Sequence, residues 1–254
     1  MTITFAKPPV IEVMVGQVFV PRPDFLVPHF GILWSALRDR YPRCAHSQPI
    51  FSEPEGFLLD ASAALLPRVW FLTQDDTSIV QVQQDRLYVN WRQVTPNTTY
   101  ARFPSVKDEY DRVWGTFVKT LTELTGAAPQ RVRLEMAYVN IIPSGDGWKT
   151  AAEIGNVLRD FSWTPGSRYL SAPNAIQGQL TLSGPAPKSK ATVKIDTLKR
   201  AGDDTPALRL EIQVVGVPED GQSDDSWIEA AHLFIVNGFK DLTTDAMHKQ
   251  WELK

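Results

Sequence analysis

The chain has 254 residues, 43% of them apolar and 22% charged, with a net charge of -3 and a pI near 5.8. That is the composition of a soluble globular protein with enough apolar mass for one large or two small domains, and it argues against extended disorder and against an overall basic surface for phosphate backbones or anionic lipid. No stretch approaches the ~18 apolar residues that span a bilayer and MTITFAKPPVIEV does not read as a secretory leader, while the single cysteine, Cys44, forbids an intramolecular disulfide; the cytoplasm is the expected location.

In chain order, Lys7-Pro8-Pro9 precedes a strand predicted over Val10 to Val20, where Ile11, Val13 and Val15 share a face and Pro21 and Pro23 end the run. From Val27 the period changes: Phe30, Leu33, Trp34, Leu37 and Tyr41 form one helical stripe, stopped by Pro42. Arg43 to Pro67 reads as a loop with a short strand at Gly56 to Asp60. Arg68 to Arg92 then predicts a meander of three strands, because β-branched and aromatic runs are broken at Gln74-Asp75-Asp76 and near Asp85. Val80 and Val82 alternate there with Gln81 and Gln83, and Leu87, Val89 and Trp91 with Tyr88, Asn90 and Arg92, as on a sheet with one apolar and one polar face. Ser105 and Asp108 have capping-box spacing ahead of a helix carried by Tyr110, Val113, Trp114, Phe117, Leu121 and Leu124, which Gly126 and Pro129 close.

The same order then recurs. A strand is predicted over Val132 to Ile142, a helix capped by Thr150 and Glu153 with Ile154, Val157, Leu158 and Phe161 on its face, and strands at Ala175 to Ser183, Ala191 to Lys199 and Ala207 to Val217. Ser226 and Glu229 cap a last helix with Trp227, Ala231, Phe234, Gly238 and Leu242 on one side. The expected fold is α+β: two β-α-β-β-β-α halves, 1-128 and 129-254, in one compact pseudo-duplicated unit whose curved antiparallel sheet has helices on one face only. In element order this resembles the saddle of the TATA-box-binding-protein fold. A DNA-binding saddle would need surplus Lys and Arg and apolar wedges, whereas the second half's polar face mixes Gln177, Gln179, Thr181, Lys194, Asp196, Arg209, Glu211 and Gln213, so nucleic acid is disfavoured as a partner.

Catalytic signatures are missing: there is no GxxxxGK[ST], GxGxxG or GxSxG, and the prolines in Ser183 to Lys190 remove backbone donors from a loop that otherwise looks like a phosphate cradle. Glu229 and His232 have metal-ligand spacing without a second such pair, so Glu229 reads as part of the cap and His232 as a helix-surface or interhelical residue. His248 with Asp241 and Asp245 makes a poor zinc set, and Cys44 with His46 lacks an oxyanion site, leaving Cys44 as a partly buried structural thiol. The acidic stretches at Asp203-Asp204 and Glu219 to Asp225 read as solvated linkers. No catalytic residue, metal or cofactor is predicted. Hydrogen-bonding side chains should converge at Gln81, Gln83, Arg86, Asn90 and Arg92.

KPPVIEV at 7 to 13, VWFLTQDDTSIVQVQQDRLYVNWR at 69 to 92, YARFPSV at 100 to 106, YVNIIP at 138 to 143, AAHLFIVNGF and the closing MHKQW resemble, nearly end to end, a sporadically distributed family of uncharacterised prokaryotic proteins. The resemblance carries no activity; a scattered distribution suits mobile or defence-linked genes. It adds Tyr100, Asn140, His232, His248 and Trp251 to Asn90 and Arg92 as candidate interaction or structural positions. The expected function is a non-enzymatic binding or accessory protein whose open polar sheet face, or a sheet edge, takes a protein or peptide partner, with a homo-oligomer compatible and no membrane partner. The competing expectation is a small-ligand or nucleotide-binding module, an enzyme included, with Arg86, Asn90 and Arg92 fixing an anion.

Overall fold

The computed structural model describes residues 3-50, 66-164, 166-167, 169-200 and 204-254, and among these it has nine strands, four α-helices and one short 3-10 helix. The strands are β1 Val10–Phe19, β2 Arg43–Ser47, β3 Arg68–Leu72, β4 Ser78–Gln83, β5 Arg86–Arg92, β6 Arg131–Pro143, β7 Gln177–Ser183, β8 Ser189–Lys199 and β9 Pro206–Gly216. The α-helices are α1 Val27–Leu37, α2 Arg102–Thr125, α3 Asp224–Leu242 and α4 Asp245–Gln250. The class is α+β, with one large antiparallel sheet in the order β2-β3-β4-β5-β1-β6-β9-β8-β7. The predicted strand at Gly56 to Asp60 lies outside the described residues.

The chain divides into two compact units, Val13–Glu135 and Met1–Glu12 with Met136–Lys254. In Val13–Glu135 the meander forms as its alternation requires. Val69 opposes Val82, Phe71 opposes Val80, and Val80 and Val82 oppose Val89 and Leu87, so the paired side chains make one apolar face. All six are buried, as are Phe30, Leu33 and Leu37 of α1 and Tyr110, Val113, Phe117 and Leu121 of α2. Each of these helices therefore hides an apolar stripe, while Val27 and Ile32 of α1 stay exposed. Arg43 to Pro67 is not wholly a loop, since β2 pairs antiparallel with β3.

The helix expected to begin at Ser105 begins at Arg102, and no side chain caps it. The earlier start places Pro104 in the first helical turn, which tolerates a residue without an N–H. The far end closes as predicted, with Gly126 in the left-handed conformation and its N–H bonded to the Thr122 carbonyl.

In the other unit, Val193, Ile195, Leu208, Leu210, Ile212 and Val214 are buried along β8 and β9, as are Trp227, Ile228, Ala231 and Ile235 of α3. Trp227 is fully enclosed and its indole N–H donates to Ser189 Oγ at 2.9 Å. The helix predicted from Thr150 is only a 3-10 turn, Ala151–Asn156. Gly155 sits where any Cβ would lie 2.7 Å from the Phe161 carbonyl oxygen, a close approach that ties this segment to the following chain. The cap of α3 is Ser223, whose hydroxyl accepts from Ser226 N–H at 3.1 Å, and Asp224 and Asp225 fill the first turn where the helix dipole favours them. Ser223→Ala is therefore expected to cost about 1 kcal/mol in chemical denaturation and Ser226→Ala markedly less. Equal losses from both would refute the assignment.

Residues 4-7 and 251-254 are tied together in this unit. Phe5 bridges Leu253, Ala6 N–H and Lys7 N–H donate to the carbonyls of Glu252 and Trp251, and Lys254 N–H donates to the Thr4 carbonyl at 2.8 Å. The Phe5 ring stands edge-on to Phe239, His248 and Trp251, so aromatic packing holds what the backbone bonds align.

Candidate functional site

The polar face of the meander is closed, and this corrects the expectation of an open surface there. Gln81 and Gln83 are each 8% exposed, and Arg86 and Asn90 each 2%. Buried polar groups must be bonded to be tolerated, and these are. Gln81 Nε2 donates to Asn90 Oδ1 at 2.8 Å, while Arg68 Nη1 donates to Gln81 Oε1 at 2.9 Å and Arg68 Nη2 to Ser47 Oγ at 2.8 Å. Gln83 exchanges two bonds with the Ile50 backbone, 2.8 and 3.1 Å, and reaches Asp85 Oδ1 at 3.0 Å. The period of two in the sequence identifies this side of the sheet but carries no information about chain folding over it.

Arg86 and Arg92 face ion pairs of their own unit. The Arg86 guanidinium grips Asp85 with two bonds, Nε to Oδ1 at 2.9 Å and Nη2 to Oδ2 at 2.6 Å. Burial works against its charge, but Asp85 and the neighbouring Tyr88 and Glu135 outweigh burial and hold its pKa above the ordinary arginine value. Arg92 Nε donates to the Asp76 carbonyl at 2.7 Å. Tyr88 donates to Glu135 Oε2 at 2.9 Å, and burial followed by that carboxylate raises its phenol pKa well above the usual range. Arg133 completes the set through Glu135 Oε1 at 2.6 Å. This is a satisfied charge network inside Val13–Glu135.

The remaining candidates are spread through the fold. Tyr100 lies against Trp91 with ring centres 4.8 Å apart, and the Arg102 guanidinium sits 5.2 Å from the Tyr100 ring. Asn140, buried on β6, donates to the Leu210 carbonyl at 3.2 Å. His248 Nε2 lies 3.0 Å from Thr243 Oγ1 and 3.1 Å from the Lys240 carbonyl, and Trp251 packs on Phe239 at 5.1 Å. Cys44 is exposed, which corrects its reading as partly buried. Glu229 is not the cap of α3. Among the described residues no group of three or more His, Cys, Asp or Glu side chains is placed to hold a metal ion.

His232 is half-buried. Its Nδ1 lies 2.9 Å from the Tyr138 hydroxyl of β6, and burial lowers its pKa from 6.5 to about 4. The folded state therefore keeps the ring neutral where the unfolded chain binds a proton, so stability is lost as pH falls from about 6.5 towards about 4. The loss is expected to reach up to about 3 kcal/mol by pH 4. Urea midpoints at pH 7 and pH 4 check this: His232→Gln should narrow the gap between them, and an unchanged gap would contradict it.

Two further features bear on function, and the first of them was not found from sequence. The first is a cavity of about 510 Å³ in Val13–Glu135, walled by Thr77, Ser78, Thr95, Thr98, Thr99 and Ser105 with Asp75, Arg40 and Glu109 and with Val89, Trp91, Val94, Ala101 and Val106. Glu109 Oε1 accepts from Tyr41 Oη at 2.5 Å, Arg112 Nη2 at 2.6 Å and Arg40 Nε at 2.9 Å. Burial would raise its pKa, yet the bonds from Arg112 and Tyr41 prevail and keep it below the usual carboxylate range. Arg102, next to the wall, has φ of 61°, a left-handed conformation that costs a non-glycine residue about 1 kcal/mol or more. The available signal was the three threonines, Thr95, Thr98 and Thr99, between the aromatic residues Trp91 and Tyr100.

The second is β7. It ends the sheet order, its seven residues QGQLTLS include no charge and no proline, and Leu182 is 44% exposed. Gln177, Gln179, Thr181 and Ser183 are exposed on the same strand. At the opposite end of the order β2 has five residues and carries Arg43, two of the devices that discourage strand addition.

No protein-family model fits the chain, and no curated protein is significantly similar to it. No described helix is long and apolar enough to cross a membrane.

Proposed function

We propose that the protein is a non-enzymatic binding or accessory protein that takes up an extended segment of a protein partner along β7. The observation that supports this reading is an uncharged, proline-free strand at the end of the sheet order with an exposed leucine, since an outer strand offers a row of N–H and C=O groups and natural sheets ordinarily protect such a row. Main-chain pairing would supply affinity, and Leu180 and Leu182 on one side with Gln179 and Thr181 on the other would select side chains of the incoming segment. The recurrence in both units of an opening strand, a run of antiparallel strands and a long closing helix supports the further reading that the two arose by duplication.

A photo-crosslinking residue at exposed Thr181, incorporated in the native host, tests the proposal. The expected result is one defined adduct that is absent when the same residue stands at Thr116 on α2, and that is lost on Leu182→Lys while thermal stability stays within about 0.5 kcal/mol of the parent. An adduct that survives Leu182→Lys, or a partner captured from Thr116 instead, would exclude β7 as the docking edge.

A further inference from the structure

We propose that the cavity beside the start of α2 is a binding site for a neutral, polyhydroxylated small molecule of mono- or disaccharide size. At about 510 Å³ it lies within the roughly 300–1,000 Å³ usual for small-ligand sites. Its polar wall is made of hydroxyls and carboxylates with capacity to spare. Asp75 receives Thr73 Oγ1, Thr77 N and Thr77 Oγ1 all on Oδ1, which leaves Oδ2 to accept, and Glu109 Oε2 takes only a long 3.3 Å bond from Arg112 Nε. Thr99 and Ser105 are exposed hydroxyls that can both donate and accept.

Charge decides the ligand class. Arg40 and Arg112 both pair with Glu109, and with Asp75 the two carboxylates balance the two guanidinium groups, so the site has no net positive charge to hold a phosphate or carboxylate. Two carboxylates that accept, hydroxyls that do both, and an apolar floor from Val89, Val94 and Val106 suit a molecule with several O–H donors and a C–H face. The left-handed Arg102 is a second mark of a built site, because backbone strain of this kind concentrates at ligand clamps and survives only where surrounding contacts enforce it. This site is separate from β7 and does not depend on that strand's role.

The test is amide chemical-shift mapping of the full chain with glucose, galactose, maltose and cellobiose, each at up to about 10 mM, and with glucose 6-phosphate as the charged control. At least one neutral sugar is expected to shift amides between Val94 and Glu109 saturably, with the phosphate at least about tenfold weaker. Ser105→Trp, an exposed substitution that fills the cavity, should abolish those shifts while leaving the rest of the spectrum intact. Thr99→Trp provides the same test should Ser105→Trp misfold. Absence of saturable shifts with all four sugars, stronger binding of the phosphate, or binding that persists with the cavity filled would each overturn the proposal.

Discussion

Asp85→Asn is expected to destabilise the protein by about 3–5 kcal/mol, because it strips the charge from the carboxylate that grips a guanidinium 2% exposed to solvent. A buried ion pair adds modestly to stability when whole, since desolvation of both ions offsets their attraction. Breaking it by removing one partner leaves the full desolvation cost of the other. The pair also ties Gln83 through Asp85 Oδ1 and faces the charge of Glu135, so the disturbance reaches β4 and β6. Combining Asp85→Asn with Arg86→Met should recover much of the loss, a coupling that a double-mutant cycle in urea measures directly. Additive losses would show that Arg86 and Asp85 are not an energetic unit.

The second large effect belongs to Gly16. A Cβ at this position of β1 would lie 2.3 Å from the Leu87 carbonyl oxygen and 2.8 Å from Tyr88 Cα, both backbone atoms of β5 that cannot move without parting the strands. Overpacking ordinarily costs 1–3 kcal/mol where side chains can yield; here Gly16→Ala is expected to exceed about 3 kcal/mol. The contact with Tyr88 Cδ1, 2.4 Å, is relieved by truncation, whereas the carbonyl contact is not. Tyr88→Ala should therefore fail to rescue Gly16→Ala in thermal or denaturant melts. A rescued double variant, or a single variant with an unchanged midpoint, would show that the strands can separate enough to admit a methyl group.

Much of the fold follows from patterns that a single strand or helix imposes on itself. Val80 and Val82 against Gln81 and Gln83, or Tyr110, Val113, Phe117 and Leu121 along α2, can be read locally because their periods are those of the backbone. Errors arose where the determining contact is distant. Arg43–Ser47 has no apolar alternation of its own and becomes a strand by pairing with β3. Ser226 was read as the cap of α3, whereas Ser223, three residues earlier, caps it by accepting from Ser226 N–H. The polar side of the meander was legible as a side; its enclosure depends on Arg68 and on the backbone at Ile50, which no local period encodes. The cavity was illegible for the same reason, since Arg40, Asp75, Thr98 and Glu109 come from four separate segments.

The backbone bond between Lys254 and Thr4 has a practical corollary. With these positions already side by side, a short flexible linker could join them covalently, and the polypeptide could be reopened in the exposed turn around Pro187 and Lys188 to give a rearranged chain with the same contacts. Conversely, trimming the last residues would unseat Phe5 from its aromatic cage, so a deletion at one extremity would be felt at the other.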